Sequence, residues 1–287
     1  MTFRLNNLAT SSLEISLDEK EADLRSCIAG YGSLIVAYSG GVDSTFLAAV
    51  SHDVLGQNSL AVTSRSPSVA PEELEAAADL AQTLGWRHLI VDTNEINDPK
   101  YLANDARRCF FCKTELYTHL EKVSAEYSIT KVANGANVDD MGDYRPGMEA
   151  AKNFEVVSPL VQSGMTKKDI RQLSLKMDLP TWDKPAQPCL SSRIPYGTSV
   201  SIDALTKIGK AERGLRDLGF DVVRVRHYGE VGRVEIPLDD FERFELLRGD
   251  AESAVLGAGY EIMELDPKGF KSGGLNATLG LLGTKMG

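Results

Sequence analysis

The amino-acid sequence predicts an α/β fold in which a doubly wound parallel sheet is followed by a smaller C-terminal α+β domain. Up to about residue 180, short apolar runs bounded by turn residues alternate with longer segments of helical period. This pattern is typical of a parallel sheet whose strands are connected by helices. Beyond residue 198, two alternating segments separated by Tyr228-Gly229-Glu230 predict a strand pair instead. The length of 287 residues also favours more than one core.

The first segment contains five predicted strands, at residues 33–38, 59–63, 87–92, 131–134 and 155–157. The helices between them are clearest at residues 43–55, 71–84, 112–127 and 167–177. Two of these helices carry start signals. Pro71 leads two glutamates into a first turn, and Thr166 with Asp169 forms a capping box. We therefore assign residues 1–180 to one α/β domain.

Residues 181–198 are predicted to be a linker, because Pro180 is followed there by further prolines and by no sustained periodicity. The C-terminal domain is assigned to residues 199–287. Its predicted elements are a helix at residues 202–218, strands at 222–227 and 231–237, further helix through residue 256, and a strand at 260–265.

Composition excludes several classes of protein. Hydrophobic residues at 43% and charged residues at 25% are ordinary globular values. No apolar run approaches the roughly 20 residues of a spanning helix, and the N-terminus lacks the pattern of a secretory leader, so we expect a cytoplasmic protein without a membrane segment. With 31 basic and 41 acidic side chains, the net charge is -10. A surface of this sign repels phosphate backbones, which disfavours a long nucleic acid as partner.

The segment Ser39-Gly40-Gly41-Val42-Asp43-Ser44 joins a predicted strand to a predicted helix. Adjacent glycines let the backbone turn sharply and approach an anion, so that N–H groups and the helix N-terminus point at one place. The two serines add hydroxyl donors, and the Asp43 carboxylate is suited to a Mg²⁺ ion that bridges phosphate oxygens. We call residues 39–44 the phosphate loop.

The pattern G-x-x-x-x-G-K-[ST] is absent, as is a G-x-G-x-x-G after a strand, which disfavours kinases and dehydrogenases. Instead, SGGVDS in this context resembles the PP-loop of the adenine nucleotide alpha-hydrolase superfamily. The resemblance implies that the loop clamps the β,γ-pyrophosphate of ATP and that AMP is transferred to a carboxylate or carbonyl oxygen. It also implies that the end of the second strand, at Val62, Thr63 and Ser64, lies by the adenine; a strand-end turn with satisfied hydroxyls is the alternative.

A second polar segment, NGANVDDMGDYRPG, follows the fourth predicted strand. Loops at strand carboxyl ends carry ligands in open α/β sheets, so Gly135 and Asp140 are predicted to lie at the nucleotide. Asp139, Asp140 and Asp143 are candidates for holding Mg²⁺, and Arg145 is a candidate for neutralising an adenylate or leaving pyrophosphate. A solvated turn with an Arg–Asp pair is the alternative.

Three of the four cysteines form a candidate ligand set. Cys109 and Cys112 open a predicted helix as C-x-x-C, and Cys189 lies in the linker. Structural zinc usually requires four protein ligands, whereas a [4Fe–4S] cluster held by three thiolates leaves one iron open for a ligand such as sulfide. Cys27 lies in a helical pattern in which burial is common. The alternatives are a packed, inert C-x-x-C pair and a buried Cys189.

Four further residues are suited to a phosphate dianion: Ser192, Arg193, Arg224 and Arg226. Guanidinium groups bind phosphate through two donors at once. Arg224 and Arg226 share a face of a predicted strand, because side chains there repeat every two residues. A solvated polar face is the alternative for these two arginines.

Taken together, SGGVDS, CFFC, NGANVDDMGDYRPG, KPAQPCLSSRIPYGT and VRVRHYG resemble the LarE family over nearly the whole chain. Members are ATP-dependent sulfurtransferases that convert pyridinium-3,5-biscarboxylic acid mononucleotide to its thiocarboxylate form, toward the nickel-pincer nucleotide of lactate racemase. The resemblance implies catalytic roles for Asp43 and Cys189, substrate phosphate at Ser192, Arg193, Arg224 and Arg226, and a homo-oligomer. It also implies a [4Fe–4S] cluster on Cys109, Cys112 and Cys189, loaded by a sulfide donor.

Three other functions remain open from the sequence alone. In single-cysteine members of the family, the counterpart of Cys189 gives up its own sulfur in one turnover. A tRNA thiolase is a second alternative, since some pair a PP-loop with three cysteines, although the acidic charge disfavours it. A non-catalytic ATP or iron–sulfur sensor is the third.

Overall fold

The computed structural model describes residues 15–142 and 146–271. Its first part contains a four-stranded, fully parallel sheet in the order β3-β2-β1-β4. The strands are β1 Leu34–Ala37, β2 Ser59–Arg65, β3 His88–Asp92 and β4 Val132–Ala133. Because β1 is central and the chain crosses over to either side of it, the sheet is doubly wound, which confirms the predicted fold class.

Helices cover both faces of this sheet. They are α1 Leu17–Tyr31, α2 Val42–Leu55, α3 Pro71–Thr83, α4 Pro99–Leu102, α5 Arg108–Tyr127, α6 Pro146–Asn153, α7 Pro159–Gln162 and α8 Lys167–Lys176. Side chains of β1 alternate between two cores, because successive residues of a strand point to opposite faces. Leu34 and Val36 pack with residues of α1, α2 and α8, whereas Ile35 packs with residues of α5 and α6. The phosphate loop thus emerges from a strand that is buried on both sides.

One predicted strand is wrong. Residues 155–157 form no ladder, and Val157 makes only an isolated parallel bridge to Ala133. Glu155 has a φ of 52°, in the left-handed region, and this interrupts the extended conformation that a strand needs. By contrast, the predicted capping box at Thr166 and Asp169 is present and starts α8.

The second part of the chain has its own sheet and core. Its elements are α9 Ile202–Asp217, β5 Arg224–Tyr228, β6 Val231–Glu235, α10 Phe241–Leu246, α11 Arg248–Gly257 and β7 Ile262–Leu265. Strands β5 and β6 pair antiparallel, as predicted, and β7 adds parallel to β6. Phe220 and Phe244 meet in the fully buried centre of this core. The exact boundaries of the two domains stay predictions.

The linker passes between the two cores. Its 3-10 turn, Leu190–Arg193, places Leu190 and Ile194 in a buried cluster with Tyr101 of the first part and Ile208 of α9. This cluster fixes the linker against both sides. Within the described ranges, no helix has the length and apolar character needed to cross a membrane.

Candidate active site

The phosphate loop has the geometry of an anion cradle. Gly40 has a φ of 70°, and a Cβ added there would lie 2.9 Å from the Cβ of Ala77, so only glycine fits. Gly41 caps α2 without a side-chain bond to the first-turn amides. Ser39 and Ser44 meet through their hydroxyls at 3.0 Å, and the Ser44 hydroxyl also accepts from the Ser39 amide at 3.1 Å. These contacts stabilise the turn of the loop.

The loop after β4 lies directly against the phosphate loop. A Cβ at Gly135 would lie 3.1 Å from the amide nitrogen of Ser44. Two residues on, the Asn137 amide group donates to Asp43 Oδ1 at 3.3 Å, and its backbone N–H donates to Asp140 Oδ2 at 3.0 Å. Gly135 thus contacts the phosphate loop directly, and Asp140 is linked to it through Asn137. Asp143 and Arg145 lie outside the described residues.

Asp43 already has a cationic partner. Lys167, the first residue of α8, places its Nζ 2.5 Å from Asp43 Oδ2. Its backbone N–H donates to Asp139 Oδ2 at 2.7 Å. The carboxylate predicted for Mg²⁺ is therefore neutralised by an ammonium group that is more than a third exposed and free to exchange. Sequence reasoning missed Lys167, because the contact joins residues far apart in the chain.

A narrow cavity of about 70 Å³ lies beside the phosphate loop, at the carboxyl ends of β1 and β2. Its lining includes Ser39, Val62, Thr63, Ser64, Glu73 and Lys113. The Thr63 hydroxyl lies 2.8 Å from Nε2 of His88, whose pKa is lowered by burial. The three residues predicted to lie by the adenine therefore share one cavity with the phosphate loop.

The three predicted ligand cysteines share one neighbourhood. Burial raises the pKa of the Cys112 thiol to about 12; Lys113 opposes the shift, and Cys109 and Cys189 are close enough to add to it. Cys189 is exposed, and its Sγ lies 3.0 Å from the Ser191 hydroxyl. In residues 15–142 and 146–271, however, no three His, Cys, Asp or Glu side chains are arranged so that they could hold a metal ion.

Asn104 and Arg108 bring the C-x-x-C helix and the linker together. The buried Arg108 guanidinium donates to Asn104 Oδ1 at 2.6 Å and to the Ser191 carbonyl at 2.8 Å. The Asn104 amide donates in turn to the carbonyls of Pro195 and Thr198. Neither residue was predicted, and no local sequence signal marks them. Their contacts explain why Cys189 approaches a helix that begins eighty residues earlier in the chain.

Lys113 adjoins the thiols and also the cavity beside the phosphate loop, which is the candidate nucleotide cavity. It lines the cavity beside the phosphate loop. Desolvation alone would lower the pKa of Lys113, but Tyr117, Cys112, Cys109 and Cys189 together raise it. This lysine follows Cys112 directly, so the C-x-x-C motif itself could have drawn attention to it.

The predicted phosphate-binding arginines have different environments. Arg193 is 1% exposed, and its guanidinium binds both carboxylate oxygens of Glu212 at 2.8 and 3.0 Å. Its remaining nitrogen donates to the carbonyls of Pro188 and Cys189 and to the Ser192 hydroxyl. Every guanidinium nitrogen of Arg193 is thus engaged inside the protein. Binding of a phosphate by Arg193 would require one of these bonds to break.

Arg226 and Arg224 lie on β5 and are both buried, which rules out the solvated polar face. Arg226 forms a bidentate pair with Glu235, both contacts being 2.9 Å, and donates to the Ser192 carbonyl. Arg224 donates only to carbonyls in the described part of the chain, those of Val223 and Ala186. Burial, with Arg193 nearby, lowers the pKa of Arg224 to about 10. Arg224 is thus the cation of this set without a carboxylate of its own.

Comparisons with known proteins agree with this arrangement. The family described as NAD synthase matches residues 19–108, which include the phosphate loop and most of the cavity lining but not Lys113. A protein of Synechocystis sp. with no assigned function is 43% identical over 92% of this chain and 99% of its own length. Pyridinium-3,5-bisthiocarboxylic acid mononucleotide synthase of Lactiplantibacillus plantarum is 32% identical over 92% of this chain and 96% of its own. A tRNA-specific 2-thiouridylase of Rickettsia felis is 26% identical over 63% of this chain.

Proposed function

The chain belongs to the LarE family of ATP-dependent sulfurtransferases, and on that premise we propose that it thiolates a carboxylate of pyridinium-3,5-biscarboxylic acid mononucleotide through an acyl-adenylate. The product would serve the biosynthesis of a nickel-pincer nucleotide. One observation carries the proposal beyond family membership. Lys113 lines the nucleotide cavity and also interacts electrostatically with the three thiols, so an activated carboxylate and a sulfur nucleophile would meet at this residue.

In the first step, a substrate carboxylate oxygen attacks the α-phosphorus of ATP and pyrophosphate leaves. The amides of the phosphate loop, with the hydroxyls of Ser39 and Ser44, would hold the β- and γ-phosphates. The carboxylate chemistry of Asp43 fits a Mg²⁺ ion, which would offset the charge that builds up on the leaving group. Lys167 would then exchange its ion pair with Asp43 for an ion pair with the phosphates, because the Asp43 carboxylate would hold the metal.

In the second step, a sulfur nucleophile attacks the acyl carbon and AMP leaves. Arg224 and Ser192 would hold the 5′-phosphate of the substrate, whereas Arg193 and Arg226, which is paired with Glu235, would hold the linker that carries Cys189. Holding the reacting atoms together replaces a bimolecular encounter with a local one. Arg224 is the best-suited phosphate ligand, since its buried charge is satisfied only by carbonyl dipoles within the described residues.

The thiolates of Cys109, Cys112 and Cys189 would supply the donor chemistry of a [4Fe–4S] cluster, and the three side chains would have to draw closer together than in this structure to hold it. The three thiols share one neighbourhood, and the cations Arg108 and Lys113 beside them would offset thiolate charge. When bound, such a cluster would supply an open iron site for sulfide, and a sulfide donor would renew it. The protein's contribution is to place Cys189 beside the C-x-x-C helix through the Arg108–Ser191 contact.

The alternative sulfur source is Cys189 itself. This thiol is exposed, whereas Cys109 and Cys112 are only partly exposed and burial raises the pKa of the Cys112 thiol, so Cys189 is the most accessible nucleophile of the three. The sacrificial route would remove the elements of H₂S from Cys189 in one turnover. Intact-mass measurement of the protein after reaction separates the two routes.

The decisive experiment combines two assays on one anaerobically purified sample. We expect about four iron atoms and about four sulfide ions per chain. We also expect AMP and pyrophosphate to form only when the pyridinium mononucleotide is present. Cys109→Ala should lose the iron, whereas the matched control Cys27→Ala should keep it. Absence of AMP and pyrophosphate would favour a sensor. Tight retention of tRNA at low salt would favour a tRNA thiolase, because phosphate contacts are strongest there.

Two further properties stay predictions. A homo-oligomer is expected from the family, and its size is measurable by light scattering of the purified chain. A cytoplasmic location is likewise expected and is measurable by fractionation of the producing cell.

A further inference from the structure

Lys184 is the point at which the linker touches the phosphate loop. Its Nζ lies 2.7 Å from Glu73 Oε2 and 3.3 Å from the carbonyl oxygen of Gly40. Glu73 stands in the first turn of α3 and also lines the nucleotide cavity. The Lys184 ammonium therefore lies beside the loop at which a triphosphate would bind. Its carboxylate partner there is Glu73.

Arginine side chains fix the linker backbone on both sides of Lys184. Arg171 of α8 donates to the carbonyls of Trp182 and Lys184, at 2.9 and 3.0 Å. The remaining contacts run from Arg224 to the Ala186 carbonyl and from Arg193 to the carbonyls of Pro188 and Cys189. A backbone held at the carbonyls of residues 182, 184, 186, 188 and 189 has little freedom to bend locally. A restraint gained or lost at Lys184 would therefore change how firmly Cys189 is held.

The pairing of Lys184 can change when nucleotide binds. A triphosphate carries more negative charge than one carboxylate and offers several acceptor oxygens, so it competes with Glu73 for the ammonium group. The side chain of Lys184 is 22% exposed and that of Glu73 24% exposed. Such a pair is held far less tightly than the fully buried Arg193–Glu212 pair, so exchange of its partner costs little.

We infer that Lys184 is a positioning residue that couples nucleotide occupancy of the phosphate loop to the placement of Cys189. With the loop empty, Lys184 pairs with Glu73. With ATP bound, it pairs with the phosphates and restrains the linker, and with it the thiol, beside the activated carboxylate. The inference rests on the proposed function, because it assumes that Cys189 acts on an adenylate formed at this loop. Coupling is reciprocal, so the linker also changes the affinity for ATP.

Hydrogen–deuterium exchange of the anaerobically purified full chain tests the coupling directly. The probe is α,β-methylene ATP with Mg²⁺, which binds without releasing pyrophosphate. In the wild type, we expect this probe to lower deuterium uptake in residues 182–189. The decrease should vanish in Lys184→Gln, return in part in Lys184→Arg, and persist in the matched control Lys176→Gln, whose lysine lies on the exposed side of α8.

Steady-state kinetics supply the second measurement. Loss of one charge-assisted hydrogen bond should raise the KM for ATP about tenfold in Lys184→Gln. Pyrophosphate released per thiocarboxylate formed should rise as well, because adenylate hydrolyses before the sulfur arrives. Glu73→Gln should act in the opposite direction and lower the KM for ATP, since it removes the competing carboxylate. The double variant should resemble Lys184→Gln.

The outcomes separate this inference from the proposed function. Unchanged uptake in wild-type residues 182–189, with the probe bound, would overturn the coupling while leaving the sulfurtransferase reaction intact. A Lys184→Gln protein with a raised KM but a wild-type ratio of pyrophosphate to product would also overturn it, and would reduce Lys184 to a simple phosphate ligand. Failure of the wild type to form AMP at all would instead sink the proposed function.

Discussion

The phosphate loop and the linker junction hold their charged groups in opposite ways. At the phosphate loop, Asp43 has a single charged partner within the described residues, Lys167, and accepts one further bond from the Asn137 amide; the Asp43 and Lys167 side chains are both partly exposed. At the junction, Arg193 and Glu212 are almost fully buried, and each has several hydrogen-bond partners. Glu212 also accepts from Arg216 of the same helix and from the backbone N–H of Val225.

This difference indicates what each set of charges is for. A charge that must bind a ligand has to be released cheaply, so a single, partly solvated partner suits it. A charge that fixes backbone positions gains from burial and from many partners, because leaving any one of them unpaired is costly. By this criterion we expect Asp43, Lys167 and Lys184 to act in the proposed reaction, and Arg193 and Glu212 to form the scaffold that positions Cys189.

The largest expected effect is on the scaffold. Glu212→Gln should lower the free energy of unfolding by about 3–5 kcal/mol, because it leaves the buried Arg193 charge without its carboxylate. Urea unfolding measures the loss. The exposed pair of Arg65 and Asp92 provides the control, and Arg65→Ala should leave the urea midpoint nearly unchanged, because water screens an exposed pair.

The same variant tests the assignment of roles. If Glu212→Gln kept wild-type stability while the KM for the pyridinium mononucleotide rose, Arg193 would belong to the substrate site after all. The distinction between the two regions would then fail at its clearest example.

The next effect is on catalysis. Asp43→Asn should lower kcat by about 10²–10³-fold, since the carboxylate that would bind Mg²⁺ is lost and charge on the leaving pyrophosphate is no longer offset. Pyrophosphate release under saturating ATP measures it. Stability should change by less than about 1 kcal/mol, because the Lys167 pair is partly exposed.

Asp53 supplies the matched control for Asp43. It lies on the same helix, α2, and its side chain is about half exposed at the far end. Asp53→Asn should leave pyrophosphate release unchanged. An Asp43→Asn protein that unfolds at much lower urea concentration would instead show that Asp43 belongs to the scaffold.

The sequence predicts these two regions to different degrees. The shape of the phosphate loop follows from local rules, since two glycines between a strand and a helix leave few alternatives, and Gly40 adopts the expected positive φ. The capping box of Thr166 and Asp169 was predictable for the same reason. Lys167 and Lys184 were not, because their partners Asp43 and Gly40 are more than a hundred residues away.

The arginines show a second limit of the sequence. Residue type gives the number and geometry of donors but not their partners. Arg193 and Arg224 therefore look equivalent as candidates for a phosphate. Only the fold shows that Glu212 faces Arg193, whereas Arg224 faces carbonyls and stacks over Phe270 at 5.4 Å.

A smaller effect separates the two arginines of β5. Arg224→Gln should raise the KM for the pyridinium mononucleotide about 10–100-fold, because a charged hydrogen bond to its phosphate is lost. The substrate analogue that lacks the 5′-phosphate should bind the wild type and Arg224→Gln equally. Arg226→Gln should mainly lower the free energy of unfolding, since it leaves the half-buried Glu235 without its bidentate partner. Equal KM effects from the two variants would contradict the distinction.

The smallest effect concerns the start of α8, from which Lys167 reaches Asp43. Burial alone would raise the pKa of Asp169, but Lys20 at 2.6 Å and the capping bonds to Thr166 lower it below its ordinary value of 3.8. A carboxyl whose folded pKa is depressed contributes stability above the unfolded pKa and loses it as pH falls through the folded pKa. Asp169→Asn should therefore cost about 1 kcal/mol at neutral pH, as loss of a helix cap does.

The difference between wild type and Asp169→Asn should stay constant from neutral pH down to near 3.8 and should shrink below it. Urea unfolding across this pH range measures the difference in unfolding free energy. A double-mutant cycle with Lys20→Met gives the coupling energy between Lys20 and Asp169, which should shrink over the same pH range. A difference independent of pH would mean that the carboxylate charge plays no part. The start of α8 would then be held by packing. Lys167 would be positioned by buried contacts, as the Arg193–Glu212 junction is, rather than by partly exposed charges.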